Sequence, residues 1–160
     1  MFMQIIKNRE ITDSPWQPDC SITASPGEGP VDWPAEWVDH TYYSVERWQS
    51  LRASEAELNS TVGIRLAPED DVDELAADLL SISMIALEFG SFSEGRGYSQ
   101  AVLLRQQYGY SGEIRALGAH CDNLPLMERC GIDAFELAQG EDLETALKAF
   151  EEITEYYPYN

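Results

Sequence analysis

Gly95-Arg96-Gly97 is the place in this sequence where residue types and spacing point most directly to chemistry. The run follows the apolar segment "SMIALEF" and directly precedes a helical pattern. Glycines let backbone approach a ligand, and they cost chain entropy that an ordinary turn avoids. A helix start offers free N–H groups to an anion. Arg96 adds a planar fork for phosphate, sulfate, sulfite or carboxylate, and Tyr98 and Ser99 add hydroxyls. Glu88 and Glu94 complete the neighbourhood. The candidate anion- or partner-binding set is thus Glu88, Glu94, Gly95, Arg96, Gly97, Tyr98 and Ser99. The competing reading makes both glycines turn formers, with Arg96 paired to Glu88 or Glu94.

Other chemistries find less footing. Cys20, Cys121 and Cys130 contain no Cys-x-x-Cys spacing, and His40 and His120 are the only histidines. No structural metal or iron–sulfur cluster is expected. The glycine run is neither the three-glycine dinucleotide fingerprint nor a Walker loop, so no bound cofactor is expected either. His120 and Cys121 are adjacent and so do not face each other, and Cys130 reads as an inert buried thiol. Arg65 and Arg115 fall within strand patterns. Buried arginines there need carboxylates, which Glu88 and Glu136 on neighbouring strands would supply.

Charge narrows the partners. Ten basic residues stand against 29 acidic ones, for a net −19. Such a field repels nucleic acid and anionic membranes; it permits a basic protein partner or a cationic ligand, and the competing reading is that it serves only solubility or a salty cytoplasm. No run approaches the ~18 apolar residues of a membrane span, and the first residues lack a signal-peptide pattern. The expectation is a soluble, cytoplasmic protein with reduced thiols.

The elements that must position these residues divide the chain in two. Residues 1–58 read as an irregular N-terminal appendage: a short hairpin turning near Lys7-Asn8, a Pro/Gly/Ser-rich stretch that is mainly loop with room for one short strand, and a helix over "SVERWQSLRAS" capped by Ser44. All four tryptophans lie in this part, which predicts that it packs on a large apolar surface. Residues 59–160 repeat strand and helix four times. The strands are "TVGIRLA", "SMIALEF", "EIRALG" and "DAFEL". Val72, Leu75, Ala76 and Leu79 predict an amphipathic α-helix; Tyr98, Ala101, Leu104 and Tyr108 trace a second. "CDNLPLMERCG" gives a third, with Asp122 as cap and Gly131 as stop. The last helix is "EDLETALKAFEEIT". The fold class is α/β, a four-stranded parallel sheet of consecutive βα units. Half-barrel order is favoured, with a doubly wound sheet as the alternative. An open edge of such a sheet would be covered by the appendage or by a second chain in a homodimer.

Several of these residues resemble a known family. Phe92 to Ser99, Leu103-Leu104-Arg105, Gly112-Glu113 with Arg115-Ala116, and Arg129-Cys130-Gly131 with Asp133-Ala134-Phe135 are similar to the hallmarks of small bacterial proteins of unknown function encoded beside the haem-containing sulfite reductase. That family is described in terms of oxidoreductases of sulfite reduction. The resemblance adds Arg105 to the candidate set. It implies an accessory of assimilatory sulfite reduction, acting with sulfite reductase or its electron donor in electron delivery or assembly. The alternative is a small anion-binding enzyme or sensor using the Gly-Arg-Gly loop. The chain departs from the family at Ser91, where a lysine is common. It departs again in "GAHCDNLPLMERC", which lacks the usual acidic start and Arg-Asp-Gln run.

Overall fold

A computed structural model of the chain describes residues 3–19, 37–54, 58, 61–89 and 95–156, with side chains to residue 151. The four predicted strands form, at β5 (Val62–Leu66), β6 (Met84–Glu88), β7 (Glu113–Ala119) and β8 (Ala134–Leu137). They pair in parallel and in chain order, as consecutive βα units require. The doubly wound alternative needs a switch in strand order, and β5 to β8 show none.

The expected count of four strands is corrected to eight. The segment read as an appendage supplies the other half of the same sheet. The hairpin β1 (Met3–Lys7) and β2 (Glu10–Ser14) pairs antiparallel through β1 onto β8. Its turn has Asn8 and Arg9 at φ 53° and 64°, the left-handed pair that a two-residue hairpin loop needs. At the other edge, β3 (Gln17–Pro18) and β4 (Thr41–Ser44) add in parallel to β5. The full order is β2-β1-β8-β7-β6-β5-β4-β3. Both edges are guarded. β3 is two residues long and contains Pro18, while β2 carries the exposed Glu10 and Asp13.

The sheet is curled into a half-barrel. Its outermost strands, β2 and β3, are separated in sequence only by Pro15 and Trp16, a link of at most about 11 Å. The Arg115 side chain on β7 reaches Ser14 on β2 at 2.7 Å, across two intervening strands. A flat sheet, with about 4.8 Å between strands, does not allow that reach.

The convex face carries the core. Ile64, Leu66, Ile85, Leu87, Ile114, Ala116 and Phe135 alternate onto it and are buried under the helices. These are α1 (Val45–Ala53), α2 (Arg96–Val102, continued by one π turn, Leu103–Gln107), α3 (Leu124–Arg129) and α4 (Leu143–Tyr156). Ser44 caps α1 as predicted, its hydroxyl accepting from the Arg47 N–H. The stretch Val72–Ser81 is a 3₁₀ helix instead of the predicted α-helix. Its buried set is Val72, Leu75 and Leu79, with Ala76 exposed. α3 begins after Asn123, not at an Asp122 cap, because Cys121–Asn123 forms a 3₁₀ turn ahead of it. Trp37 and Trp48 meet in the core with ring centroids 4.8 Å apart and planes tilted by 57°, and Trp16 lies half-buried on the concave face. Trp33 lies outside the described residues.

Candidate functional site

The Gly-Arg-Gly run has a backbone reason at each glycine. Gly95 has φ 83°, a left-handed residue that leads into α2. At Gly97 an added Cβ would sit 2.5 Å from the Phe89 ring, so the helix start packs directly on the end of β6. Gly97→Ala is therefore expected to cost about 1–3 kcal/mol through overpacking, checked by thermal melts. Arg96 is exposed, and its Nε donates to the Pro68 carbonyl at 3.1 Å. Ser99 is exposed, and Tyr98 meets Phe89 edge-on at 5.1 Å. Glu88 pairs with Arg65 at 3.7 Å. Glu94 lies outside the described residues.

Beside Arg96 is a groove of about 440 Å³, lined by Glu69, Asp70, Asp71, Val72, Ser99, Gln100 and Leu103. Gln100, not anticipated from sequence, anchors its floor by donating to the carbonyls of Ala67 and Asp70. An anion entering here meets one guanidinium and three acidic side chains.

Arg105 sits at the opposite, amino end of the parallel strands. Its Nε donates to the Gly131 carbonyl at 2.9 Å. One terminal nitrogen donates to the carbonyls of Tyr110 and Gly112, at 2.7 and 2.8 Å. The other faces Asp133 at 3.6 Å. Asp133 in turn accepts from the Ile114 N–H, while burial pushes its carboxyl pKa up. Several hallmark residues thus converge on one staple between the π turn, the loop before β7 and the loop before β8. In barrel-like sheets this end serves stability.

The concave face gathers the remaining charges. Arg115 is 2 % exposed and grips Glu113 at 2.9 Å as well as Ser14. Its partner is therefore not Glu88 or Glu136, as the sequence suggested, but the residue two places earlier on its own strand. Glu113 also takes Lys7 at 2.8 Å. Where the two sheet edges meet, a cavity of about 460 Å³ opens between Met3, Ser14, Pro15, Trp16, Gln17, Pro18, Tyr42 and Glu136. Gly63 leaves room for the Trp16 ring, since a Cβ there would lie 3.2 Å from it. Burial pushes the Tyr42 hydroxyl to a pKa of about 12, with nearby Glu136 adding to the shift and Arg115 and Arg65 opposing it. Burial also raises the Glu136 carboxyl, against the pull of Arg115.

Among the described residues, the thiols of Cys121 and Cys130 are not set up as nucleophiles, and Cys20 lies outside them. Burial, and contact with Glu141, raise the Cys121 pKa to about 11, and burial raises that of Cys130. His120 points to Glu141 at 3.1 Å. Among the described residues no group of three or more His, Cys, Asp or Glu side chains is placed to hold a metal ion, and no helix is long and apolar enough to cross a membrane.

Residues 63–160 match the model of a bacterial protein family of unknown function, DUF934. The match covers more than half of the chain, which belongs to that family. No curated protein matches the chain.

Proposed function

We propose that this family member is a cytoplasmic accessory protein of assimilatory sulfite reduction. It docks through its acidic surface on a more basic partner, sulfite reductase or its electron donor, and aids electron delivery or assembly. The distribution of charge is the observation that carries this reading. Eight of the ten basic side chains are committed within the fold. Lys7, Arg9, Arg47, Arg52, Arg65 and Arg115 pair with carboxylates, Arg105 with carbonyls and Asp133, and Arg96 with a carbonyl. The carboxylates are less absorbed. Glu69, Asp71, Asp73 and Glu74 run exposed along the start of the 3₁₀ helix, with the fully exposed Leu80 at its far end. A negative surface carrying one exposed apolar side chain favours fast, salt-sensitive association with a basic face. The link to sulfite reduction rests on the hallmark residues quoted above.

Two measurements test the proposal. Affinity capture from sulfate-grown cells should enrich sulfite reductase, and enrichment should weaken with salt and on reversing Glu69, Asp71 and Glu74 to lysine. Deleting the gene should slow growth on sulfate or sulfite but not on cysteine. Equal growth on all three sulfur sources, in a strain with no second copy, would sink the sulfite-reduction role.

A further inference from the structure

The cavity at the seam of the curled sheet holds an acceptor that the fold leaves uncommitted. Glu136 is half-buried and has no hydrogen bond or ion pair among the described residues. Most of its neighbours on the concave face are matched: Arg115 with Glu113 and Ser14, Lys7 with Glu113, and Arg65 with Glu88 at 3.7 Å, the Arg65 Nε alone lacking a hydrogen-bond partner. The Tyr42 hydroxyl likewise has no hydrogen bond among the described residues, and Tyr42 lines the cavity. Buried polar groups ordinarily find partners. A carboxylate left open in a small-molecule-sized cavity asks for N–H donors.

We infer that the seam cavity binds a small organic ammonium ion, with Glu136 as its anionic anchor, the Tyr42 hydroxyl as a second acceptor, and the Trp16 and Tyr42 rings as its walls. The charge favours a cation: the chain carries −19, and Arg115 is held by Glu113 and Ser14. Aromatic faces attract ammonium groups when water is excluded. Met3, Pro15 and Pro18 leave space for an apolar body. Glu136 must be ionised to bind, and it faces Arg115 and Tyr42. Affinity therefore falls as pH drops through its raised pKa. This site is independent of any role in sulfite reduction.

The test titrates the full-length protein with benzylammonium, benzyl alcohol and benzoate, by calorimetry and ligand-observed NMR. Benzylammonium should bind saturably and more tightly than benzyl alcohol, and benzoate should not bind. Glu136→Gln should weaken benzylammonium at least about tenfold, while Glu69→Gln, on the exposed groove elsewhere, should leave it unchanged. Glu136→Gln should melt no lower than the parent, because it removes an unpaired half-buried charge, so lost binding would not reflect unfolding. The inference is overturned if benzylammonium fails to saturate or if the neutral or anionic probe binds equally well. It is also overturned if both variants lose affinity alike, which would mark diffuse attraction to an acidic surface.

Discussion

Arg105→Ala is expected to destabilise the protein by about 3 kcal/mol, from stranded acceptors that each cost about 1–3 kcal/mol. For a chain of this size that is a fall of about 6–12 °C in melting temperature. Arg105 donates to the carbonyls of Gly131, Tyr110 and Gly112 and faces Asp133. It also lies over the Tyr110 ring at 5.8 Å. Alanine leaves these acceptors partly buried with no donor and leaves Asp133, whose carboxyl pKa is already raised, without its cation. Arg105→Lys should recover only part of the loss, because an ammonium is a point donor that does not span carbonyls on two loops. Denaturant melts of the two variants beside the parent decide the matter. A loss under about 1 kcal/mol for alanine would mean that water replaces the guanidinium, and the residue would again be available for partner contact.

How much of this was legible in the sequence follows from the range of the forces involved. β5 to β8 were readable because each is a short apolar run bounded by turn residues and separated from the next by a helical pattern. Their order followed from the consecutive connections. β4 was not readable, and the one short strand allowed in the loop ahead of it could not be placed as β3. β3 is two residues, held by pairing to β4 and by bonds such as the Gln17 N–H to the His40 carbonyl. Such a strand exists only because an edge is waiting for it. The 3₁₀ helix defeated the pattern because a spacing of three is shared by both helix types, and the residue that tells them apart, Ala76 at i+4, is small enough to sit on either face; it is exposed here. Trp48 and Arg52 then draw Asp78 inward. The Arg115 partner was within reach of sequence reasoning, since residues two apart on a strand share a face. The seam cavity was not, because its walls come from β1, β2, β3, β4 and β8, which only the curl of the finished sheet brings together.

Trp48→Ala is expected to be the most damaging single truncation, at about 4 kcal/mol, within the range for a large buried aromatic. Trp48 is fully buried, lies 4.8 Å from Trp37, and donates its indole N–H to Asp78 at 3.0 Å. Trp48→Phe keeps most of the ring and gives up that bond. It should cost only about 1–2 kcal/mol, since Arg52 still holds Asp78. The form of the transition carries more information than its size. All four tryptophans lie in residues 1–58, so indole fluorescence reports that part, whereas far-ultraviolet circular dichroism reports the helices of both parts. If residues 1–58 were an appendage on an independent sheet, Trp48→Ala would lower the fluorescence transition and leave the helical signal melting as in the parent. The eight-stranded sheet predicts otherwise. β1 and β2 cover one edge of β5 to β8, and β3 and β4 cover the other. Losing the packing of α1 therefore uncovers β4 and β5, whose side chains belong to the one shared core, and both signals should fall together by about 10 °C or more. Separated transitions would show that the sheet's two halves fold independently.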